Sequence, residues 1–333
     1  MSDFKEKYVR NIIKLGNSKA VTFPQEWTEA AKLKEKSEIT MYPVDEKTIM
    51  IVAREEEKKQ ILRIDPFKDK NGWSFKFLNQ AIISAFKLNV DEIYIKYNEK
   101  TQAELYELLI KLRQEIIAID FKDISENKEF YISFLLDTSK KDLLEVLKDL
   151  AGVFNTIIEN IIVSARQKNE TIVIKNYDII LAEIDRKYSL GTRILITGLS
   201  EYHISKGYRD LPIKRFLGNR VILLYIRDFI NESLRFQNLP TDIIAKYSDI
   251  LTEIPHVLYD LINNFDDFEV NTITEFQNRL DSLKKTFDNT PYEDTFGLEL
   301  LVRSIIEYYL SSFNNFFDIG ITRMIERMLQ TSQ

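Results

Sequence analysis

The most chemically pointed stretch of the sequence is a run of cations. Lys5, Lys7, Arg10, Lys14 and Lys19 face a single acid, Glu6, around the turn-forming residues Gly16, Asn17 and Ser18. Cations with no companion base do little acid–base chemistry, but they neutralise phosphates well. Gly16-Asn17-Ser18-Lys19 is not a nucleotide phosphate loop, because it lacks the first glycine and the Gly-Lys-Ser/Thr ending of such loops. The other end of the chain has the opposite sign. Over residues 237–299 there are thirteen acids and four basic residues. With a net charge of −6 over 333 residues, a basic end and an acidic end imply two different jobs.

Other chemistries are poorly supplied. There is no cysteine, which excludes disulfides, thiolate zinc sites and cysteine nucleophiles. The two histidines, His203 and His256, stand alone and read as surface or capping residues. No G-x-S-x-G or G-x-G-x-x-G occurs, so hydrolase and dinucleotide-binding readings have no support, and no enzymatic role is expected. No apolar run approaches the roughly 18 residues of a membrane span; even 308–317 is bracketed by Glu307 and Asp318. No basic start is followed by an apolar signal-peptide run. A soluble, cytoplasmic protein without membrane insertion is expected.

The elements that must position these residues follow from periodicity. Residues 8–54 read as four short strands around one helix. Val9, Ile13, Val21 and Phe23 flank the turn at Gly16-Asn17-Ser18, and Pro24 opens a helix carrying Trp27, Ala30 and Leu33. So small a core is commonly completed by dimerisation. A charged connector leads to an α/β pattern over 60–136. It has strands at 61–64, 91–97, 117–121 and 130–135, a helix over 74–88, and a helix over 101–116 opened by the capping-box pair Thr101 and Glu104. From 139 onward all is helix: a first one with the stripe Leu143, Leu147, Leu150, Phe154, Ile157 and Ile161, then 176–200, 212–236, 242–264, 272–288 and 291–329. Tyr308, Tyr309, Phe313, Phe316 and Phe317 fall at helical spacing and read as core. The fold class is mainly α with a β-rich N-terminus. The helices form two antiparallel three-helix bundles, over about 139–236 and 240–330.

Residues 8–54 resemble the AbrB/MazE/SpoVT swapped-hairpin module at Arg10, Lys14, Gly16, Ser18, Val21, Thr22, Pro24, Trp27 and Leu33, with Ser37-Glu38 where many members have a Gly-Asp turn. The resemblance implies that residues 1–54 form an interleaved two-chain barrel, a homodimer, whose residues Lys5, Lys7, Arg10, Lys14, Asn17, Ser18 and Lys19 contact DNA. Residues 139–330 resemble the PhoU-like helical domain, in the archaeal form that carries an AbrB-like module. This match rests on "EIDRKYSLGTR" (Glu183, Asp185, Arg186, Tyr188, Leu190, Arg193) and on the junction at 135–143.

Members of that helical family hold metal clusters with carboxylates spaced four apart. Here Asp185, Asp228 and Glu307 stand in the pattern, but Leu181, Leu224 and Arg303 replace their partners. One carboxylate per site is too few for a hard cation, so neither a metal nor any other cofactor is expected. The two resemblances together imply a DNA-binding regulator in phosphate uptake or transport, with a protein partner on the acidic helices. Two alternatives stay open: an architectural protein that bridges DNA, and an interaction protein whose N-terminus only dimerises. The middle α/β unit has a legible pattern but no assigned purpose.

Overall fold

The computed structural model describes residues 8–43, 47–53, 59–68, 72–138, 141–167, 170–200, 213–265, 268–293 and 297–331. Tertiary contacts divide the chain into two units, Met1–Lys58 and Lys59–Gln333. The protein is mainly helical with a small β-rich N-terminus. Among the described residues no helix is long and apolar enough to cross a membrane.

In the first unit, β1 (Ile13–Leu15) and β2 (Ser18–Ala20) pair antiparallel across the two-residue turn Gly16-Asn17. Gly16 adopts φ +60°, the left-handed conformation that tight hairpin turns demand and that glycine takes without steric cost. Pro24 precedes α1 (Gln25–Ala30), and the Phe23 and Trp27 rings pack 5.1 Å apart. β3 (Ile39–Pro43) and β4 (Ile49–Ala53) form a second antiparallel pair, with Ile39 opposite Ala53 and Pro43 opposite Ile49. The two hairpins are separate two-stranded sheets. No described residue of this unit is buried, and two-stranded sheets are marginal without further cover.

The second unit opens with β5 (Ile61–Ile64), α2 (Phe75–Lys87), β6 (Glu92–Lys96), α3 (Gln102–Glu115), β7 (Ile119–Ile124) and β8 (Glu129–Phe134). Its sheet has the order β5-β6-β8-β7. β5 runs parallel to β6 through the α2 crossover, and the β7–β8 hairpin adds antiparallel. Leu78, Ile82 and Phe86 of α2 and Leu105, Leu109 and Leu112 of α3 are buried in one core with Ile93, Ile95, Phe130 and Ile132 of the sheet. Ser74 caps α2, its hydroxyl accepting from the Phe77 amide at 3.2 Å. The capping box expected at Thr101 and Glu104 does not form. The Thr101 hydroxyl turns back to Asn98, whose side-chain oxygen accepts from the amides of Lys100 and Thr101. The Asn98 turn thus takes the hydroxyl that a cap would need.

The helices are α4 (Leu143–Arg166), α5 (Tyr177–Ser200), α6 (Ile213–Leu234), α7 (Thr241–Ala245), α8 (Ser248–Asn263), α9 (Val270–Asn289) and α10 (Leu298–Thr331). Asp142 caps α4 by accepting from the Leu144 amide at 2.9 Å. The whole α4 stripe, Leu143 through Ile161, is buried, as are Val146, Ala151 and Ile158 beside it. That breadth follows from the position of α4, which packs against α5, α6, α7 and α8. One continuous core runs from Leu143 to Phe317. The helix expected over 242–264 is two helices. Tyr247, fully buried, breaks it where its hydroxyl donates to Glu299 at 2.8 Å. Tyr309, Phe313, Phe316 and Phe317 are core.

Candidate nucleic-acid interface

The first hairpin sorts its residues by face. Lys14 lies directly opposite Lys19, Leu15 opposite Ser18 and Ile13 opposite Ala20. Because side chains alternate along a strand, the two lysines share one face while Ile13, Leu15, Ser18 and Ala20 share the other. Arg10, Lys14, Asn17, Ser18 and Lys19 are all exposed. The Arg10 guanidinium sits 5.8 Å from the Tyr8 ring centroid. Lys5 and Lys7 lie outside the described residues. Apolar side chains are exposed as well: Val9 by 73 %, Ile12 by 69 %, Leu15 by 68 %, Ile49 by 60 % and Met41 by 54 %.

The three candidate acids sit on different helices. Asp185, on α5, is exposed, with the Arg227 Nε 3.8 Å away. Asp228, on α6, is half-buried, and burial pushes its carboxyl above the ordinary range although Arg227 opposes the shift. Burial pushes the hydroxyl of Tyr308 up to about 12, the Asp228 charge adding to the effect. Glu307 is exposed on α10. The residues in place of their partners have other work. Leu181 packs against the core, and Arg303 reaches the Tyr247 hydroxyl and the Thr290 carbonyl. Among the described residues no three His, Asp or Glu side chains group as metal ligands. His256 is exposed on α8, and His203 lies outside the described residues.

Several polar constellations were invisible in the sequence. Arg193, 2 % exposed, donates to the carbonyls of Phe86 (2.8 Å) and Val90 (3.2 Å) at the end of α2. Arg186 donates through two nitrogens to the Gln114 carbonyl on α3. These two arginines fasten α5 to the α/β layer, and the carbonyls that end a helix are natural seats for a cation. At the start of α10, Glu299 is 1 % exposed. It accepts from Tyr247, from Lys246 (3.1 Å) and from the Glu293 amide (3.3 Å). Around Tyr188, also buried, stand Lys87, Arg220 and Arg227.

Comparison with protein-family models, curated proteins and solved structures found no match to the chain.

Proposed function

We propose that the chain is a homodimeric DNA-binding regulator, as its two resemblances imply. Two N-terminal units interleave their hairpins into one AbrB-like barrel and turn their basic faces toward a duplex. The proposal rests on the two faces of the first hairpin: paired cations Lys14 and Lys19 on one, exposed Ile13 and Leu15 on the other. A β unit with no buried described residue has no core of its own. A second copy, related by a two-fold axis, brings an identical apolar face and makes the contact self-complementary. Each large apolar side chain covered this way contributes about 1.5–3 kcal/mol, against the entropy of association.

The same pairing gathers Arg10, Lys14, Asn17, Ser18 and Lys19 of both chains, with Lys5 and Lys7, into one basic surface. Such a surface releases counterions from DNA phosphates on binding. The PhoU-like helices carry the excess acid of 237–299 and dock a protein partner, by resemblance in phosphate uptake or transport, in the cytoplasm. We assign the chain no catalytic step and no resident metal. Salt-dependent binding of the full chain to duplex DNA, lost when Lys14 and Lys19 are replaced, is the test.

A further inference from the structure

We propose that the seam where α2, α5 and α6 meet is a binding site for a phosphate-type oxyanion, held by Lys87, Arg220 and Arg227 around the ring of Tyr188. The three cationic centres lie close to that ring's centroid: the Arg227 guanidinium at 4.4 Å, the Arg220 guanidinium at 5.0 Å and the Lys87 ammonium at 5.4 Å. They come from two helices of different layers, Lys87 from the end of α2 and the two arginines from α6, one α-helical turn pair apart on one side. Among the described residues two carboxylates act on Arg227: Asp185, mostly exposed and 3.8 Å from its Nε, and the half-buried Asp228. Three positive charges against these two carboxylates, one of them mostly exposed, leave an excess of positive charge in a partly buried place that an anion corrects.

The hydrogen-bond inventory points the same way. The Nη1 of Arg220 and the Nε of Arg227 are buried and have no acceptor. Buried donors are almost always matched, as those of Arg186 and Arg279 are. Arg186 spends two nitrogens on the Gln114 carbonyl, and Arg279 bridges Glu253 and Asp260. Stacking over Tyr188 favours the guanidinium charge but supplies no acceptor in the plane of the fork. A tetrahedral oxyanion offers several oxygens at once, which suits two guanidinium forks and an ammonium. Burial holds Lys87 below the ordinary lysine range, Arg227 and Arg220 pushing in the same direction and Tyr188 and Asp185 opposing them.

The site lies wholly within the unit Lys59–Gln333. Its ligand is either free phosphate or the phosphate group of a nucleotide. Isothermal titration of the full chain with inorganic phosphate and, separately, with AMP distinguishes them, ionic strength being fixed with chloride. Saturable binding of either is expected, weakened about ten-fold or more in Arg220→Gln/Arg227→Gln. Circular dichroism checks that this variant is folded. Asp185→Asn, which removes a competing carboxylate, should bind several-fold more tightly, an outcome that unfolding cannot imitate. Absence of saturable binding to both anions, or equal affinity in all three proteins, overturns the proposal.

Discussion

Lys14 and Lys19 face each other directly across the first hairpin. Like charges in directly opposed positions on a sheet are destabilising. The arrangement therefore weakens a hairpin that already lacks buried cover, and an anion laid across the pair reverses the cost. Replacing Lys19 with Glu turns repulsion into attraction. Lys19→Glu should leave thermal stability at low salt unchanged or slightly raised while DNA binding falls. A variant that loses stability and binding together would make the lysine pair structural.

Exposed Ile13 and Leu15 are expected to be covered by the second chain. Ile13→Asp/Leu15→Asp should convert a dimer to a monomer in sedimentation equilibrium without changing the helical signal in circular dichroism. A wild-type chain that sediments as a monomer at tens of micromolar would remove the paired barrel from the account.

Arg193 joins the two layers of the second unit. Replacing it with Met removes a buried charged donor from two carbonyls, at a cost of about 2–4 kcal/mol. Urea unfolding should show the midpoint lowered accordingly, with Arg193→Lys recovering part of the loss. An unchanged midpoint would mean that the α2–α5 seam gains nothing from this side chain.

Glu299 makes stability depend on pH. Burial raises its carboxyl, but donors from Tyr247, Lys246 and the Glu293 amide outweigh that and hold it below the ordinary value of 4.5. A depressed carboxylate contributes stability above its unfolded value and loses it as pH falls through the folded one. Thermal stability should therefore decline as pH drops below about 4.5. Glu299→Gln should be less stable at neutral pH and show a shallower acid limb. Parallel acid limbs for the two proteins would assign the acid sensitivity elsewhere.

Much of the architecture was legible because it is local. The α4 stripe and the turn at Gly16-Asn17 follow from spacing and residue type. The break between α7 and α8 was not, since Ile243, Ile244, Ile250 and Leu251 keep a helical pattern through it. It is imposed by Tyr247 reaching a carboxylate 52 positions away. Thr101 misled for a related reason, Asn98 offering its hydroxyl a nearer partner. Arg193 carried no burial signal, because its acceptors are backbone carbonyls that any sequence possesses. The basic run was readable as charge, whereas the opposition of Lys14 to Lys19 required the register.

The central claim is best tested by titrating the full chain against duplex DNA at several salt concentrations between about 50 and 200 mM. Counting only the candidate cations among the described residues, Arg10, Lys14 and Lys19, three per chain give about six phosphate contacts in a dimer. The logarithm of the binding constant should then fall with the logarithm of salt at a slope of about −5, roughly a thousand-fold across that range. Lys14→Ala/Lys19→Ala should bind weakly and flatten the slope to about −2. No binding at the lowest salt, or a slope that the double replacement leaves unchanged, would contradict DNA recognition by this face.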